Sequence, residues 1–208
     1  MEAIAWEVIL AAGFFFVLGA VSPGPSLIIV LRNTLIGGRR QGVACALGHG
    51  VGFGIYAGSA VFGLILLLEN APSVFLVLQL IGVALLIWYG ILMWTADINA
   101  LQDIDIESNS KERQGFAEGF AIAFFNPKIA LFLVAVLAQV LKPGMGIETK
   151  LAIGLLGMTI DMGWYVIVAV ALTGTPALET LRAKGNLVYR ITAVALWFFA
   201  GSVTLSLL

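Results

Sequence analysis

Long apolar runs alternate with short polar stretches along most of this sequence. Six of the runs are long enough to cross a bilayer, whose hydrocarbon core needs about 20 apolar residues in a helix. Water is absent from that core and cannot satisfy backbone polar groups, so unbroken runs of this kind predict helices. We expect an all-α integral membrane protein with six transmembrane helices: Ile4–Leu31, Val43–Leu68, Ser73–Trp94, Phe116–Leu141, Leu151–Leu172 and Leu187–Leu208.

The largest polar stretch, Thr95–Gln114, separates the third run from the fourth. It divides the chain into a first three-helix repeat over residues 1–94, a cytoplasmic linker over 95–114 and a second three-helix repeat over 115–208. A half with an odd number of crossings places the next half upside down in the membrane, so the pattern predicts two inverted repeats. A solvated linker is the simplest interpretation of the polar stretch, and a regulatory or partner-binding loop is the alternative.

Helix-breaking residues interrupt the first and fourth runs at matching positions. The first run contains Pro23-Gly24-Pro25, the fourth contains Asn126-Pro127, and Pro23 and Pro127 lie half of the 208-residue chain apart. A proline inside a helix costs about 3 kcal/mol or more, because it lacks an N–H group and clashes with the preceding turn. We therefore expect discontinuous first and fourth helices, which mark the binding site in many transporters. Ordinary packing kinks are the alternative.

The helix starts that follow the two breaks are candidate anion-binding positions. Free N–H groups near Ser26 and Ile129 carry partial positive charge and attract groups such as a carboxylate. Lys128 could neutralise the same carboxylate, pair with Asp161 or extend to the membrane surface. The residues that we expect to bind a substrate are Pro23, Gly24, Pro25, Ser26, Asn126, Pro127, Lys128, Ile129 and Asp161.

An acidic side chain in the middle of the fifth run is the clearest sign of chemistry inside the membrane. Asp161 costs roughly 2.5–3.5 kcal/mol at the bilayer centre and is not expected to face lipid. It could carry a proton, bind a substrate amine or act as a structural partner. His49 lies in the second run, which is equivalent to the fifth, so the two side chains could approach each other as a proton-coupling pair. A neutral histidine bonded at a helix interface is the alternative.

Aromatic residues and glycines add expectations about packing. Trp164 and Tyr165 lie too deep in the fifth run for an interfacial belt, so they are core residues or, in the alternative interpretation, line a cavity. Trp88, Tyr89 and Trp94 end the third run and are typical of an interfacial anchor. Four-residue spacing predicts close helix packing at the glycines of the second run, Gly48, Gly50, Gly52, Gly54 and Gly58.

Basic residues predict the orientation of the chain. Lysine and arginine concentrate in cytoplasmic connections, and the connections after the first, third and fifth runs are the basic ones. Both termini are then expected on the extracytoplasmic side of a bacterial inner membrane. The basic residues that set this orientation are Arg39, Arg40, Lys111, Arg113, Arg182 and Lys184, whereas the opposite side has Lys142 and Lys150.

Composition narrows the classes of protein further. Hydrophobic residues make up 61% of the chain and charged residues 11%, whereas a soluble domain has about 45–50% apolar and about 25% charged residues. The net charge of -1 argues against a nucleic-acid partner, which requires a basic stripe. With one Cys and one His, the chain lacks the ligands of a dedicated metal site, and we expect no metal and no cofactor.

Taken together and in this order, the motifs resemble those of the lysine exporter superfamily, in particular its homoserine/threonine resistance branch. The resemblance implies a six-helix inner-membrane protein that exports amino acids in exchange for protons, with both proline motifs near the transport path. Phe125 stands where the family usually has leucine before Asn-Pro-Lys. The motifs are Ser22-Pro23-Gly24-Pro25, Gly38-Arg39-Arg40-Gln41-Gly42, Ala46-Leu47-Gly48, Gly115-Phe116, Gly119, Asn126-Pro127-Lys128, Leu131-Phe132, Asp161 and Trp164-Tyr165.

These observations lead to a hypothesis of alternating access around a cavity at the membrane midplane. The carboxylate of an amino acid would bind the helix starts at Ser26 and Ile129 with help from Asn126, and Asp161 would hold the ammonium. A proton arriving at Asp161 from outside would then displace the solute. An intramembrane enzyme with His49 and Asp161 as an acid–base pair, a non-transporting membrane subunit and a cation exporter are the alternatives. The sequence leaves the oligomeric state open and allows a homo-oligomer.

Overall fold

Helices account for every regular element in a computed structural model of the chain, which describes residues 4–22, 24–95, 112–172 and 176–207. This confirms the all-α prediction for these ranges. The elements are α1 (Trp6–Val21), α2 (Pro25–Asn70), α3 (Pro72–Thr95), α4 (Glu112–Phe124), α5 (Pro127–Val140), α6 (Ile147–Ile167), which continues as a π-helical turn over Val168–Leu172, and α7 (Pro176–Leu207).

The described helices provide between four and six candidate membrane crossings by length and composition. Four are single helices: Gly37–Asn70, Pro72–Thr95, Ile147–Ala171 and Asn186–Leu205. Two more arise when each bent pair counts as one crossing. Trp6–Val21 and Pro25–Leu35 meet at 56°, and Gln114–Phe124 and Lys128–Val140 meet at 50°. The bends therefore fall in the first and fourth apolar runs, where helix breaks were predicted.

Local chemistry explains where each broken helix restarts. Gly24 is fully extended, and Pro25 occupies the first turn of α2, where a missing N–H group does no harm. Pro23 lies outside the described residues. At the second break, the Asn126 side chain accepts a hydrogen bond of 2.9 Å from the Lys128 backbone N–H, and Pro127 begins α5. Both breaks thus combine a helix-starting proline with an extended residue before it.

A single glycine turns the chain from the first crossing to the second. We expected a connection carrying Arg39 and Arg40, but α2 runs through this region with one non-helical residue, Gly38 (φ 75°, ψ 176°). Only glycine adopts this backbone conformation without strain. Gln41 Nε2 donates to Asn33 Oδ1 at 2.8 Å and joins the two arms of the elbow. The loop is therefore replaced by a sharp elbow in a nearly continuous helix.

Glycines allow α2 to pack unusually closely against α4 and α6. A Cβ atom at Gly48 would overlap the Phe116 carbonyl oxygen on α4, and one at Gly119 would overlap the Cys45 carbonyl oxygen on α2. A Cβ at Gly50 would meet Met162 of α6. These contacts confirm the close packing predicted from the glycine spacing of the second run.

The main apolar core lies among α1, the second part of α2, α5 and α6, with Phe16, Ile65, Leu133 and Ile153 almost completely buried. Large apolar residues also cover the outside, as expected of helices in contact with lipid.

Residues 96–111 of the polar stretch 95–114 lie outside the described residues. The first residue of the stretch ends α3, and its last three residues begin α4. The last helix begins well before Leu187, because a helix continues beyond its apolar part where backbone hydrogen bonds remain satisfied.

Candidate functional site

A buried cavity of about 60 Å³ lies at the point where the two helix breaks come together. Side chains from α1, α2, α3, α5, α6 and α7 line it. A water molecule needs roughly 10–15 Å³ of such volume, so the cavity holds several waters or a small solute. Of the residues expected at the substrate or proton site, those that line the cavity are Gly24, Pro25, Ser26, His49, Asn126, Lys128, Ile129 and Asp161.

Three of the expected residues stand apart from this group. Pro23 lies outside the described residues, and the side chain of Pro127 is likewise outside the described part, although its backbone begins α5. Tyr165 lines the cavity, but Trp164 does not and packs instead beside the cluster that contains Leu27. Consecutive residues of a helix point about 100° apart, so two neighbours rarely face one cavity together.

A buried histidine–aspartate pair forms one part of the cavity wall. His49 Nδ1 on α2 and Asp161 Oδ2 on α6 are 2.6 Å apart, with side-chain exposures of 1% and 5%. The Tyr165 ring lies beside the imidazole, with ring centroids 4.5 Å apart. Among the described residues, His49 Nε2 has no hydrogen-bond partner. The repeat pattern allowed His49 to approach Asp161, and in the structure the two side chains are in contact.

Lys128 supplies a positive charge that no acid neutralises in the described part of the chain. The sequence analysis considered Asp161 as an ion-pair partner of Lys128, but Asp161 is paired with His49 instead. The Lys128 side chain crosses from the second break to the first, since its Nζ lies 3.2 Å from the position of a Cβ at Gly24. That place adjoins the N-terminus of α2, which also carries partial positive charge. The arrangement favours binding of an anionic group.

Tyr89 belongs to this site, and its predicted role as an interfacial anchor is wrong. It is 4% exposed, lines the cavity and donates a hydrogen bond of 2.8 Å to the Lys128 carbonyl oxygen. Trp88 and Trp94, by contrast, are both 47% exposed. Burial in α3 recurs at helical spacing over Gly82, Leu86, Tyr89 and Met93, but the helix is apolar on all sides, so the sequence did not mark this face.

A pair of hydroxyl groups was also missed by the sequence analysis. Ser22 Oγ and Thr192 Oγ1 are 3.0 Å apart, and both residues line the cavity. Ser22 was noted only as part of a motif, and nothing in the local sequence distinguishes Thr192 from the other hydroxyl residues of α7. Ser26 and Tyr165 line the same cavity.

Metal chemistry has no visible support in the described ranges. Within them, no three His, Cys, Asp or Glu side chains come close enough to hold a metal ion. The polar groups that line the site are the Lys128 ammonium, the buried His49–Asp161 pair and the linked hydroxyls of Ser22 and Thr192.

Comparison with known proteins gives one family match and several distant relatives. The model of the LysE type translocator family matches residues 17–206. The uncharacterized membrane protein YahN of Escherichia coli K12 is 28% identical over 134 residues, 61% of this chain and 57% of that protein. The alignment thus spans less than two thirds of YahN.

Two relatives carry functional names. The homoserine/homoserine lactone efflux protein of Salmonella typhimurium is 28% identical over 144 residues, which is 69% of each chain. The threonine efflux protein of Escherichia coli K12 is 22% identical over 166 residues, 77% of this chain and 79% of that protein. No solved structure matches the chain.

Proposed function

The chain belongs to the LysE type translocator family, and we propose that it is a secondary active exporter of small amino acids. Membership of a translocator family, with relatives named for efflux, identifies a transporter rather than an enzyme. The apolar crossing helices and the bacterial relatives support a multi-pass protein of the inner membrane. Homoserine and threonine, in the names of two relatives, support a small amino acid as the exported solute.

The observation that carries this proposal is the presence of separate, complementary charges in one cavity. The Lys128 ammonium has no counter-ion in the described ranges and adjoins the start of α2, so it suits a carboxylate. The Asp161 carboxylate lies in the same cavity, on α6, and suits an ammonium. A free amino acid carries both groups at neutral pH, and the cavity is of a size for a small one.

Transport by the purified protein tests the proposal directly. Proteoliposomes loaded with an unlabelled amino acid should take up the same labelled amino acid by counterflow, and empty liposomes should not. A panel of labelled amino acids, with and without a pH gradient, identifies the solute and its coupling. Absence of counterflow for every amino acid, with correctly folded and inserted protein, would overturn the proposal.

Proton antiport is the coupling that we propose, with Asp161 as the shared carboxylate. In the solute-free cavity His49 is hydrogen-bonded to this carboxylate, so an ammonium or proton that arrives there must break or rearrange that bond. If proton and ammonium compete for one group, each excludes the other, which is the requirement for exchange. Asp161→Asn should then abolish the acceleration of efflux by an inward proton gradient. Glu148→Gln, on the exposed first turn of α6, is the matched control. Unchanged gradient dependence in Asp161→Asn would contradict this role.

We also propose that the two halves are inverted repeats. α1 with the first part of α2 corresponds to α4 with α5, since both pairs bend at a proline, by 56° and 50°. The packing is related as well: α1 packs against α6, as α4 packs against α2. Six crossings put both termini on the same side of the membrane, and the basic connections favour the extracytoplasmic side. A phosphatase fused after Leu208 should be active and a cytoplasm-dependent fluorescent reporter should not, and the reverse result would contradict the orientation.

Alternating access follows from this symmetry as a proposal about motion. The native cysteine, Cys45, is completely buried, so Cys45→Ala provides a background for new cysteines. In that background Ser26→Cys, placed in the cavity, should react with membrane-impermeant thiol reagents from either side. Addition of the solute should change the ratio of the reaction rates from the two sides. Reaction from one side only, under all solute and pH conditions, would contradict the proposal.

A further inference from the structure

A hydroxyl pair on the cavity wall joins the end of α1 to the middle of α7. Ser22 and Thr192 are 6% and 3% exposed, and their hydroxyl oxygens lie 3.0 Å apart. Neither is hydrogen-bonded to Lys128 or to the His49–Asp161 pair in the described part of the chain. The proposed binding of charge therefore leaves these two groups without a role.

The positions of the protons follow from the neighbouring backbone. Thr192 Oγ1 donates to the Val188 carbonyl oxygen, one turn earlier, at 2.9 Å. A hydroxyl has one proton and two lone pairs, so Thr192 is left to accept, and Ser22 must donate to it. Ser22 Oγ then has no proton for a solute in the cavity. What it offers there is a lone pair.

Two apolar side chains of the cavity wall lie within a helical turn of this hydroxyl pair. Leu196 lies one turn after Thr192 on α7 and lines the cavity. Phe132, also a cavity residue, approaches α1 at Gly19, one turn before Ser22, within 3.0 Å of the position of a Cβ there. An isolated acceptor in an apolar wall discriminates between solutes, because it bonds a donor and gives nothing to a methyl group.

We propose that Ser22 is a specificity-determining residue, positioned by Thr192. Ser22 accepts a hydrogen bond from the solute and favours amino acids whose short side chain carries a donor, such as a hydroxyl, over aliphatic amino acids of the same size. This inference rests on the proposed export of amino acids. It concerns the ratio between two solutes, whereas the Lys128 and Asp161 sites recognise groups that all amino acids share.

Threonine and valine provide the test, because they differ only by a hydroxyl in place of a methyl group. Counterflow in proteoliposomes should favour threonine over valine by about threefold to tenfold, the value of one net hydrogen bond. Ser22→Ala should bring the ratio close to one. Thr192→Val should keep the threonine preference but also admit a solute whose side chain only accepts, such as O-methylserine, since it releases the Ser22 proton into the cavity, whereas Thr192→Ser should keep the wild-type pattern. Ser202→Ala and Thr204→Val, on α7 outside the cavity, are matched controls.

The outcomes separate this inference from the proposed function. A wild-type ratio close to one, a ratio unchanged in Ser22→Ala, or no gain of the acceptor-only solute in Thr192→Val overturns the inference and leaves export intact. The same holds if other amino acids of the panel are exported but neither threonine nor valine is. If no amino acid is exported, the proposed function itself fails. A variant that folds in low yield still reports the ratio, because both solutes are measured on one preparation. If Ser22→Ala does not fold, the two Thr192 variants decide.

Discussion

Replacing Lys128 with methionine should weaken binding of the solute carboxylate while leaving the cavity wall in place. Methionine is unbranched and of similar length, so it keeps the apolar stem and removes the ammonium. In the structure that ammonium reaches from α5 to the first break, beside Gly24, and no described acid pairs with it. The variant therefore removes a charge that the protein itself leaves available.

The expected size of the effect follows from that unpaired state. A hydrogen bond to a charged group contributes about 1.5–3 kcal/mol, which corresponds to roughly 10-fold to 150-fold in an equilibrium constant. In the described part of the chain no ion pair of Lys128 must be broken before a carboxylate binds there, so little of this is lost to competition. We expect the half-saturating solute concentration of Lys128→Met to rise within that range. Lys142→Met is the control, because Lys142 is 60% exposed and pairs with Glu7 at the surface.

Comparison of a solute with its neutral carboxamide makes the assay specific for this charge. Counterflow by the wild type should prefer the free amino acid over its amide, and Lys128→Met should reduce the preference several-fold. Lys128→Arg, which keeps the charge, should retain most of it. The reasoning is refuted if Lys128→Met discriminates between acid and amide as well as the wild type does, or if Lys142→Met loses discrimination equally.

Three further predictions concern stability and coupling. His49→Gln should lower the thermal stability of the protein in detergent by roughly 3–5 kcal/mol, because it disrupts a buried pair, and an unchanged melting temperature would contradict the importance of that pair. Gly119→Ala should destabilise by about 1–3 kcal/mol through overlap with the Cys45 carbonyl, whereas Gly163→Ala, with no neighbour within 4 Å of its Cβ position, should be neutral; equal melting temperatures would refute the packing argument. Gly38→Ala should cost about 1–3 kcal/mol at the elbow, measured by the same melting assay, and no loss would mean that the left-handed conformation is not required.

Local rules were sufficient to predict the breaks in the helices. Pro25 and Pro127 act on their own turn of the chain, so their effect is visible in the sequence and present in the structure. The contact between His49 and Asp161 was predicted by a different route, from the equivalence of the second and fifth runs, and it is also present. In both cases the argument needed only position along the chain.

The missed residues depend on which helices are neighbours. Tyr89 was assigned to the interface because Trp88 and Trp94 flank it, yet its side chain turns inward to the Lys128 carbonyl of α5. Thr192 matters only because α7 places it opposite Ser22. The elbow at Gly38 was hidden for another reason: polar residues around a glycine indicate a turn, but do not show that the helix resumes at once.

The pairing pattern inside the cavity explains why Lys128, His49 and Asp161 are present in a protein with so few buried charges. If Lys128 and Asp161 bonded each other, they would form an internal salt bridge, and a zwitterion would gain little by replacing it. His49 prevents this, because it occupies the Asp161 carboxylate from α2 and leaves Lys128 on α5 without a described counter-ion. The ammonium and the carboxylate are thus held by separate helices. Under the proposed function, Lys128 is open to the solute carboxylate, and Asp161 becomes open to the solute ammonium when its bond to His49 changes. On that proposal, a Lys128 charge without a described counter-ion serves binding at some expense of stability.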